Sequence, residues 1–406
     1  MQPEVNIGLV GHVDHGKTTL TEALTGRWTD THSEEIKRGI TIRLGYADTV
    51  LRKCPKCGEP ECYTVKEKCL HCKEPTVPVR KVSFVDAPGH ESLMATMIAG
   101  ATVMDGALLL IAANEPCPQP QTREHLMALQ IVGIKDVVIV QNKIDLVSKE
   151  ESLANYKQIK EFVKGTPYED APIIPISAQQ RINIGALIQA MQEKFPTPER
   201  DESKDPIFYV VRSFDINRPG AEPLKISGGV LGGVLRQGLL KKGIDIEIAP
   251  GRKVEKQGRT FWQPVSTKIL SLKTGGNDVS EIHPSGSIGL MTTLDPSVVK
   301  SDTLAGSIAG LPGKLPPVWS TLKLQTNLLE RVVGAKDVLV VEPIKLKEQL
   351  MLNVNSAATV GVVSELKKDH IICELKLPVC AETGSRVTIS RIVGTRWRLI
   401  GYGIIK

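Results

Sequence analysis

The sequence lacks an apolar stretch long enough to cross a lipid bilayer. Its most apolar run, Gly106 to Ala113, is far shorter than the roughly 20 residues that a spanning helix needs. A secretory leader is not expected either, because the polar residues Met1 to Glu4 lead directly into an apolar run, Val5 to Val10. We therefore expect a cytoplasmic protein with no membrane partner.

A strong excess of either charge is lacking as well. The formal net charge is +6 and the pI is about 8.8 over 406 residues. This mildly basic balance permits an anionic partner such as RNA but does not require one. The length is sufficient for two or three domains with sizeable cores.

Cysteine is scarce, and most of it lies in one segment. Five of the 8 cysteines lie between Cys54 and Cys72, and four of them form two C-x-x-C pairs, Cys54/Cys57 and Cys69/Cys72. Paired knuckles of this kind supply four thiolates to a tetrahedral Zn²⁺, so we predict a structural zinc site with no open coordination position. Disulfides are the alternative, which a cytoplasmic location disfavours.

The other cysteines have different expected roles. Cys62 and His71 lie inside the same segment but outside the paired spacing, and they are candidate substitute ligands. Cys117, Cys373 and Cys380 are expected to be buried small hydrophobic residues.

A glycine-rich loop follows the first apolar run. The segment Gly11 to Thr18, GHVDHGKT, fits the pattern G-x-x-x-x-G-K-[ST] and precedes a helical pattern from Thr19 onward. A strand, a glycine loop and a helix N-terminus together form a cradle of backbone N–H groups for phosphates. We expect Lys17 to neutralise the β- and γ-phosphate oxygens and the Thr18 hydroxyl to bind Mg²⁺. The other predicted nucleotide contacts of this loop, called the phosphate loop below, are Asp14, His15, Gly16 and Thr19.

A second motif, Asp86-Ala87-Pro88-Gly89, ends the apolar run Val82 to Val85. In a phosphate-binding α/β domain, an acidic residue at a strand end holds Mg²⁺, usually through water. Gly89 lets a backbone N–H approach the γ-phosphate because no side chain is in the way. Asp86 is therefore predicted as a Mg²⁺ ligand and Gly89 as a phosphate contact.

A third motif, Asn142-Lys143-Ile144-Asp145, follows the apolar run Val137 to Val140. The Asp145 carboxylate can accept two hydrogen bonds from the N1–H and 2-amino groups of guanine, whereas adenine would leave it unpaired. Lys143 can lie along the base and sugar, and Ser177-Ala178 can present backbone N–H groups to guanine O6. The predicted guanine contacts are completed by Asn142 and Gln179. The nucleotide is therefore predicted to be GTP or GDP.

The pattern of the sequence changes along the chain. Up to about residue 195, apolar strands alternate with helical patterns, which predicts an α/β phosphate-loop GTPase domain with a mostly parallel sheet and helices on both faces. Residues 196–206 are charged and bracketed by prolines, as in a linker. Beyond them, short strands with glycine turns predict two antiparallel β-barrels. The predicted domains are 1–200, with a zinc-knuckle insertion at about 53–75, then 201–316 and 317–406. The predicted helices of the first domain cover 91–103, 121–132, 150–163 and 184–194.

Several motifs resemble those of the translational GTPases related to elongation factor Tu. They are GHVDHGKT at 11–18, RGITI at 38–42, DAPGH at 86–90 and PQTREH at 120–125. A narrower resemblance is to the gamma subunits of archaeal and eukaryotic translation initiation factor 2. It is carried by KRGITIRLGYAD at 37–48, the cysteine insertion, NEPCPQPQTREH at 114–125 and LLERVVG at 328–334, and it extends over essentially the whole chain.

The resemblance implies roles that the motifs alone do not. Residues 38–42 would belong to a first switch, with Thr41 joining the Mg²⁺ ligands only in the GTP state. Gly89 and His90 would open a second switch, and His90 would orient the water that hydrolyses GTP. Without the resemblance, a helix-capping role is the alternative for His90. The implied enzyme is a GTP hydrolase in which Lys17, Asp86 and His90 serve catalysis, and loss of the γ-phosphate would release both switches.

The resemblance also implies partners. In its GTP state such a protein carries methionyl initiator tRNA to the small ribosomal subunit, as part of a heterotrimer with alpha and beta subunits. Two alternatives are an elongation factor Tu-like or selenocysteine-specific aminoacyl-tRNA carrier, and the GTPase subunit of a sulfate-activating enzyme. The cysteine insertion and residues 114–125 count against the first. For RNA contacts, the arginines of the last barrel are candidates, although a solvated barrel face explains them equally well. They are Arg386, Arg391, Arg396 and Arg398.

Asp14 is not explained by phosphate binding. It is a carboxylate in a loop that holds polyanionic phosphates, where like charges repel. It could cap N–H groups of the loop, or it could share a second cation with the phosphates and a backbone carbonyl of the first switch near Gly39. We favour the second hypothesis, which adds Asp14 and Gly39 to the predicted Mg²⁺ ligands Thr18, Thr41 and Asp86.

Overall fold

The computed structural model of the chain describes residues 2–29, 41, 44–90, 93–217, 220, 222, 226–256, 259–330, 332 and 339–406. The chain forms two compact units, the first built mainly from residues 3–198 and the second mainly from residues 199–406. The division falls inside the proline-bracketed segment 196–206. Within the described residues, no helix combines the length and the apolar character needed to span a bilayer.

A seven-stranded sheet forms the centre of the first unit, in the spatial order β3-β2-β4-β1-β5-β6-β7. The strands are β1 (Val5–Gly11), β2 (Gly45–Lys53), β3 (Tyr63–Thr64), β4 (Val77–Asp86), β5 (Gly106–Ala112), β6 (Asp136–Asn142) and β7 (Ile173–Pro175). Parallel pairing joins β1 to β4 and β5, β5 to β6, and β6 to β7, whereas β2 runs antiparallel to β4 and β3. The predicted mostly parallel sheet is confirmed.

The central strands are apolar along their whole length because they are covered on both faces. Every residue of β1 and β5 is buried, as expected for interior strands of a parallel sheet. Leu20, Phe84 and Val140 pack in the same core. Because parallel strands end at the same edge of a sheet, the polar residues after β1, β4 and β6 are brought together there.

The helices of the first unit follow the sequence signals closely. They are α1 (Lys17–Thr25), α2 (Met94–Ala101), α3 (Pro120–Val132), α4 (Lys149–Val163) and α5 (Ile184–Lys194). A capping box at Ser148 and Glu151 starts α4, because each side chain satisfies a backbone N–H of the other residue. The predicted helix 91–103 is described only as Met94–Ala101, and residues 91–92 lie outside the described residues.

The second unit consists of two closed antiparallel barrels. The strands of the first barrel are β8 (Ile207–Phe214), β9 (Val230–Gln237), β11 (Asp245–Lys256), β12 (Arg259–Thr274), β15 (Ile288–Thr292) and β16 (Ile308–Gly310), with the short strands β10 (Leu240–Lys241), β13 (Asn277–Val279) and β14 (Glu281–Ile282) beside them. The ring closes because β11 pairs with both β16 and β12. A four-residue helix, α6 (Pro296–Val299), precedes β16.

The second barrel is closed in the order β17-β20-β19-β18-β21-β22. Its strands are β17 (Val318–Leu328), β18 (Gln349–Val354), β19 (Ala357–Leu366), β20 (Ile371–Cys380), β21 (Arg386–Val393) and β22 (Arg396–Ile405). The predicted fold class, a GTPase-type α/β sheet followed by two antiparallel barrels, is confirmed. The short strands separated by glycine turns predicted these barrels correctly. Buried and more exposed residues alternate along part of β19, as expected for a strand with one face in a barrel core.

Candidate nucleotide-binding site

The phosphate loop has the backbone geometry that its glycines permit. Gly11 has φ +145° and Gly16 has φ +90°, and both lie in the region that favours glycine. A Cβ atom on Gly16 would lie 2.3 Å from Nδ2 of Asn142. The loop can therefore approach the end of β6 only because residue 16 has no side chain.

Lys17 is buried at the start of α1 and faces the interior of the loop. Its Nζ donates to the carbonyl oxygens of Gly11 at 3.0 Å and His12 at 2.7 Å. A cavity of about 360 Å³ opens beside it, a size usual for small-molecule sites. The cavity is lined by Val13, Asp14, Gly16, Lys17, Thr18, Thr19, Trp28, Thr41, Gly89, His90 and Lys143. Nine of these eleven residues are predicted site residues; Val13 and the half-exposed Trp28 are not.

Three of the five predicted Mg²⁺ ligands, Thr18, Thr41 and Asp86, lie together beside the cavity. The Thr18 hydroxyl donates to Asp86 Oδ2 at 2.9 Å and lies 3.3 Å from the Thr41 hydroxyl oxygen. Thr29 was not predicted, yet its hydroxyl also donates to Asp86 Oδ2, at 2.6 Å. Of the other two predicted ligands, Asp14 lines the cavity and Gly39 lies outside the described residues.

Asp14 has an exposed side chain and a left-handed backbone, with φ +61°. Its carboxylate accepts no hydrogen bond from any N–H of the described residues. Capping of the loop, the first of the two hypotheses for Asp14, thus has no supporting contact in the described part of the chain.

Gly89 lies against the phosphate loop. A Cβ atom on Gly89 would be 2.4 Å from the Lys17 Nζ and 2.9 Å from the Gly11 carbonyl oxygen. Any side chain would therefore displace the lysine. The next residue, His90, is half-buried and also lines the cavity.

At the other end of the site, Asn142 forms hydrogen bonds with both the phosphate loop and the loop that contains Ala178. It is buried, its Nδ2 donates to the His15 carbonyl oxygen at 2.9 Å, and its Oδ1 accepts from the Ala178 N–H at 3.0 Å. The Ser177 N–H donates to the Ile182 carbonyl oxygen at 3.3 Å. In this structure both N–H groups that we assigned to guanine O6 therefore have partners within the chain, because Asn142 and Ile182 hold the loop.

The remaining predicted base contacts differ in exposure. Lys143 has φ +63° and lines the cavity. Asp145 and Gln179 are exposed, whereas the Ser177 side chain is buried and its hydroxyl accepts from the Gln180 N–H at 3.1 Å. Asp145 thus presents an accessible carboxylate near the end of β6.

His15, a predicted nucleotide contact, turns its side chain away from the cavity. Its ring is buried, with Nδ1 3.0 Å from the Leu110 carbonyl oxygen and Nε2 3.3 Å from Glu115 Oε2. Burial lowers its pKa below the usual value, more than the Leu110 and Glu115 contacts raise it. His15 therefore supports the loop through its ring and is linked to Asn142 through its carbonyl group.

His125 lies beneath the same loop and was not predicted to have a role. Its Nδ1 accepts from the Gly11 N–H at 2.8 Å. Complete burial holds the pKa of His125 well below its usual value, and the nearby Lys17 charge acts in the same direction. The motif letters at 114–125 did not indicate this contact, because Gly11 and His125 lie 114 residues apart in the sequence.

Four of the cysteines form a second candidate site. The Sγ atoms of Cys54, Cys57, Cys69 and Cys72 all lie within 4.8 Å of one another. The Cys54–Cys72 and Cys57–Cys69 separations are 3.4 and 3.7 Å, close to the roughly 3.8 Å between thiolates around a Zn²⁺ with Zn–S bonds of about 2.3 Å. The set therefore fits a tetrahedral metal.

The thiols of this cluster differ in acidity. Hydrogen bonds with Cys72 and Cys69 raise the pKa of the Cys57 thiol to about 12. Hydrogen bonds from the backbone N–H groups of Cys72 and His71 lower the pKa of the Cys69 thiol to about 6. Cys62 is buried beside the cluster but is not part of the four-sulfur group, and the His71 side chain is exposed. All eight cysteines are free thiols, so the disulfide alternative is not realised in the structure. Cys373 and Cys380 are buried as predicted, whereas Cys117 is only half-buried.

The arginines of the last barrel have intrachain contacts. The Arg391 guanidinium binds both carboxylate oxygens of Glu348 and the carbonyl oxygens of Glu342 and Pro343. Arg386 lies over the Tyr402 ring at 4.6 Å. Arg391 thereby serves the barrel structure, so its expected RNA contact has no geometric support here.

Two protein families match this chain, one over the first unit and the other over the second barrel. Residues 2–197 match the family described as Elongation factor Tu GTP binding domain, and residues 320–405 match the family described as Initiation factor eIF2 gamma, C terminal. The chain is 60% identical over 405 residues to the translation initiation factor 2 subunit gamma of Methanothermobacter thermautotrophicus, covering 100% of this chain and 99% of that protein. It is equally 60% identical over 405 residues to the protein of the same name from Pyrococcus horikoshii, of which 98% is covered.

Solved structures share the fold. One is a bacterial selenocysteine-specific elongation factor, with a TM-score of 0.74 and 23% identity over 100% of this chain and 58% of that chain. Another is translation elongation factor SelB from Methanococcus maripaludis in complex with a GTP analogue, with a TM-score of 0.72 and 22% identity over 100% of this chain and 79% of that chain. At these identities the similarity establishes a common architecture alone.

Proposed function

The chain belongs to the family of translation initiation factor 2 gamma subunits, and from that membership we propose that its GTP-bound form carries methionyl initiator tRNA to the small ribosomal subunit and releases it after hydrolysis. The observation that carries the proposal is the 60% identity over 405 residues, which extends through both barrels. The chain binds GTP and GDP and is a translational GTP hydrolase. The rest of its action, including assembly with alpha and beta subunits in the cytoplasm, is part of the proposal.

We assign the phosphate end of the site to the loop and its neighbours. Lys17 neutralises the β- and γ-phosphates, and the N–H groups of Gly16, Thr18 and Thr19 contact phosphate oxygens at the start of α1. The close approach of the Gly89 backbone to the Lys17 Nζ, which leaves no room for a side chain at residue 89, supports this role.

We assign a Mg²⁺ site to the wall formed by Thr18, Thr41 and Asp86. These are hard oxygen donors, which Mg²⁺ prefers, and their oxygens already lie within hydrogen-bond distance of one another. When bound, Mg²⁺ neutralises charge on the phosphates during phosphoryl transfer. Thr41 then connects the presence of the γ-phosphate to the first switch.

For hydrolysis, His90 is proposed to orient the attacking water. It lines the cavity one residue after Gly89, so its ring can reach the γ-phosphate side of the site. Release of the γ-phosphate would free both switches and change the affinity for tRNA, which makes hydrolysis a timer.

The base end is assigned to Lys143 and Asp145, with Asn142 and residues 177–179 shaping its wall. The exposed Asp145 carboxylate can pair with the guanine N1–H and 2-amino groups. Asn142 acts through its hydrogen bonds to His15 and Ala178.

We further propose that Asp14 shares a second cation with the phosphates and the Gly39 carbonyl group. The exposed Asp14 carboxylate lines the cavity, and a cation would relieve its repulsion with phosphate. Anomalous scattering from crystals grown with Mn²⁺ and a GTP analogue should show two manganese sites. One site, with Asp14 turned away, would exclude the second cation.

The four-cysteine cluster is proposed to hold a structural Zn²⁺ that staples the insertion at about 53–75. Four thiolates leave no open coordination position, so no chemistry on substrate is assigned to it. The division into domains 1–200, 201–316 and 317–406 also stands as a proposal.

The choice of tRNA tests the proposed function. The chain is reconstituted with its alpha and beta subunits and a non-hydrolysable GTP analogue. We expect methionyl initiator tRNA to bind at least tenfold more tightly than methionyl elongator tRNA. Equal binding of the two tRNAs would refute the initiation role while leaving nucleotide binding intact.

A further inference from the structure

Gly11 is the residue at which β1 becomes the phosphate loop. Its φ is +145°, and a Cβ atom there would lie 2.4 Å from the Leu110 carbonyl oxygen. Only glycine fits without strain, so the direction in which the loop leaves the sheet is set at this residue.

A side chain holds the N–H of this glycine. The Gly11 N–H donates to His125 Nδ1 at 2.8 Å, and the Gly11 carbonyl oxygen accepts from the Lys17 Nζ at 3.0 Å. The backbone of Gly11 thus links a buried histidine of α3 directly to the lysine of the phosphate loop.

His125 can serve only in its neutral form. An imidazole nitrogen that accepts from an N–H must be unprotonated, so the ring proton resides on Nε2. The ring is completely buried, and the positive charge of Lys17 disfavours a second proton. Within the described part of the chain, the bond to Gly11 is the only hydrogen bond that the ring makes.

We propose that His125 is a positioning residue for nucleotide binding, which fixes the Gly11 N–H and so holds the phosphate loop in the geometry from which Lys17 reaches the phosphates. Without this acceptor the Gly11 N–H would be a buried donor lacking a partner. The loop would then gain alternative geometries in which this peptide group rotates to find another acceptor. The inference rests on the assignment of residues 11–18 as the phosphate loop.

Three substitutions separate hydrogen bonding from packing. His125→Asn keeps an acceptor, because the asparagine Oδ1 is as many bonds from the backbone as the histidine Nδ1. His125→Gln and His125→Leu place no acceptor at that position. In the full chain, release of a fluorescent GDP analogue should be about tenfold faster in His125→Gln and His125→Leu, the effect of one lost hydrogen bond of ordinary strength. Release from His125→Asn should stay within about twofold of the wild type.

Leu129→Ala is the packing control, because Leu129 is buried on the same helix. It should lower the midpoint of thermal unfolding without accelerating GDP release. Equal acceleration by all three His125 substitutions, or by none of them, would overturn the proposal.

A measurement on the wild type does not depend on the variants folding. With ¹⁵N-labelled histidine and glycine, His125 Nδ1 should give the NMR shift of an unprotonated nitrogen, with a coupling to the Gly11 N–H across the hydrogen bond. A protonated Nδ1 would overturn the proposal. If the phosphate-loop assignment itself is wrong, Lys17→Ala will bind GDP as tightly as the wild type, whereas a failure confined to His125 leaves the Lys17→Ala loss intact.

Discussion

The Asn142 side-chain amide donates to the His15 carbonyl oxygen at 2.9 Å, while its amide oxygen accepts from the Ala178 N–H at 3.0 Å. One buried residue at the end of β6 thus fixes both the phosphate loop and the loop that borders the base. Gly16 has to be glycine because it packs against the same amide. The proposed phosphate and base ends of the site therefore share hydrogen bonds to one side chain.

Replacing Asn142 tests this coupling. In Asn142→Asp, a carboxylate oxygen would face the His15 carbonyl oxygen, and a buried hydrogen bond worth about 1–3 kcal/mol would be lost. We expect the affinity for GDP to fall about tenfold or more by isothermal titration calorimetry. Asn155→Asp is a matched control, because Asn155 is also buried and donates to the Glu115 carbonyl oxygen at 2.9 Å but, among the described residues, forms no hydrogen bond with the phosphate loop. Equal losses of GDP affinity in both variants would contradict the account.

Substitutions of Lys17 and His90 are expected to affect different steps, nucleotide binding and hydrolysis respectively. Lys17→Ala leaves phosphate charge uncompensated in a water-poor loop, so binding of a fluorescent GTP analogue should be abolished. His90→Ala should bind the same analogue nearly as well as the wild type, while hydrolysis slows about 100-fold or more, the usual scale for a lost general acid–base group. Equal loss of binding in both variants would show that the roles assigned to Lys17 and His90 are wrong.

The cysteine cluster predicts a metal dependence that single substitutions can locate. Cys54→Ser should abolish stoichiometric zinc, measured by elemental analysis, and lower the thermal stability of the insertion. GTP affinity should change by less than about twofold, because a metal held by four thiolates would have no open position for the nucleotide. Cys62→Ser is the control, since Cys62 is buried beside the cluster but outside it. Full zinc content in Cys54→Ser, or its loss in Cys62→Ser, would mean that the ligand set is wrong.

The buried histidines predict a loss of stability in weak acid. Burial lowers the pKa of His125 and His15 below 6.5. Below pH 6.5 the unfolded chain therefore binds more protons at these residues than the folded chain does. The free energy of unfolding should therefore be highest above that pH and should fall by up to about 1.4 kcal/mol per pH unit for each histidine as the pH drops. The charged and titratable groups that face these two rings are Lys17, His12 and Glu115. All three are unchanged between the wild type and the His125 variant, so the comparison isolates His125.

Urea unfolding of the first unit between pH 5 and 7 measures this slope. His125→Asn removes one titrating group and should reduce the slope below pH 6.5 by up to about 1.4 kcal/mol per pH unit. An identical slope in the two proteins would show that His125 does not titrate as described.

The sequence predicts best what depends on local pattern. Asp86, Gly89 and Asn142 each follow an apolar run, and parallel pairing brings the ends of these strands to one edge of the sheet. Nine of the eleven residues that line the cavity at this edge are residues that the motifs had singled out, and their roles stay predictions. The two cysteine pairs were predicted from their spacing, and their four sulfur atoms lie together. Both barrels followed from short strands and glycine turns.

What the sequence did not predict depends on contacts between distant segments. Thr29 lies in a polar stretch without a motif, yet it bonds to Asp86, 57 residues away. The rings of His15 and His125 face the sheet and the loop only after folding, so neither direction could be inferred from the motif letters. The strands β11 and β12, with 12 and 16 residues, are longer than the short strands that the glycine turns predicted. They continue pairing with each other past an irregularity between Ile248 and Arg252.

We propose that GTP, through the two switches, controls the affinity of the protein for methionyl initiator tRNA. The most direct test is the dissociation constant of methionyl initiator tRNA for the heterotrimer loaded with a non-hydrolysable GTP analogue or with GDP, at one salt concentration. We expect binding to be at least tenfold tighter in the GTP-analogue state, a coupling of about 1.4 kcal/mol or more. Equal dissociation constants in the two nucleotide states would contradict it.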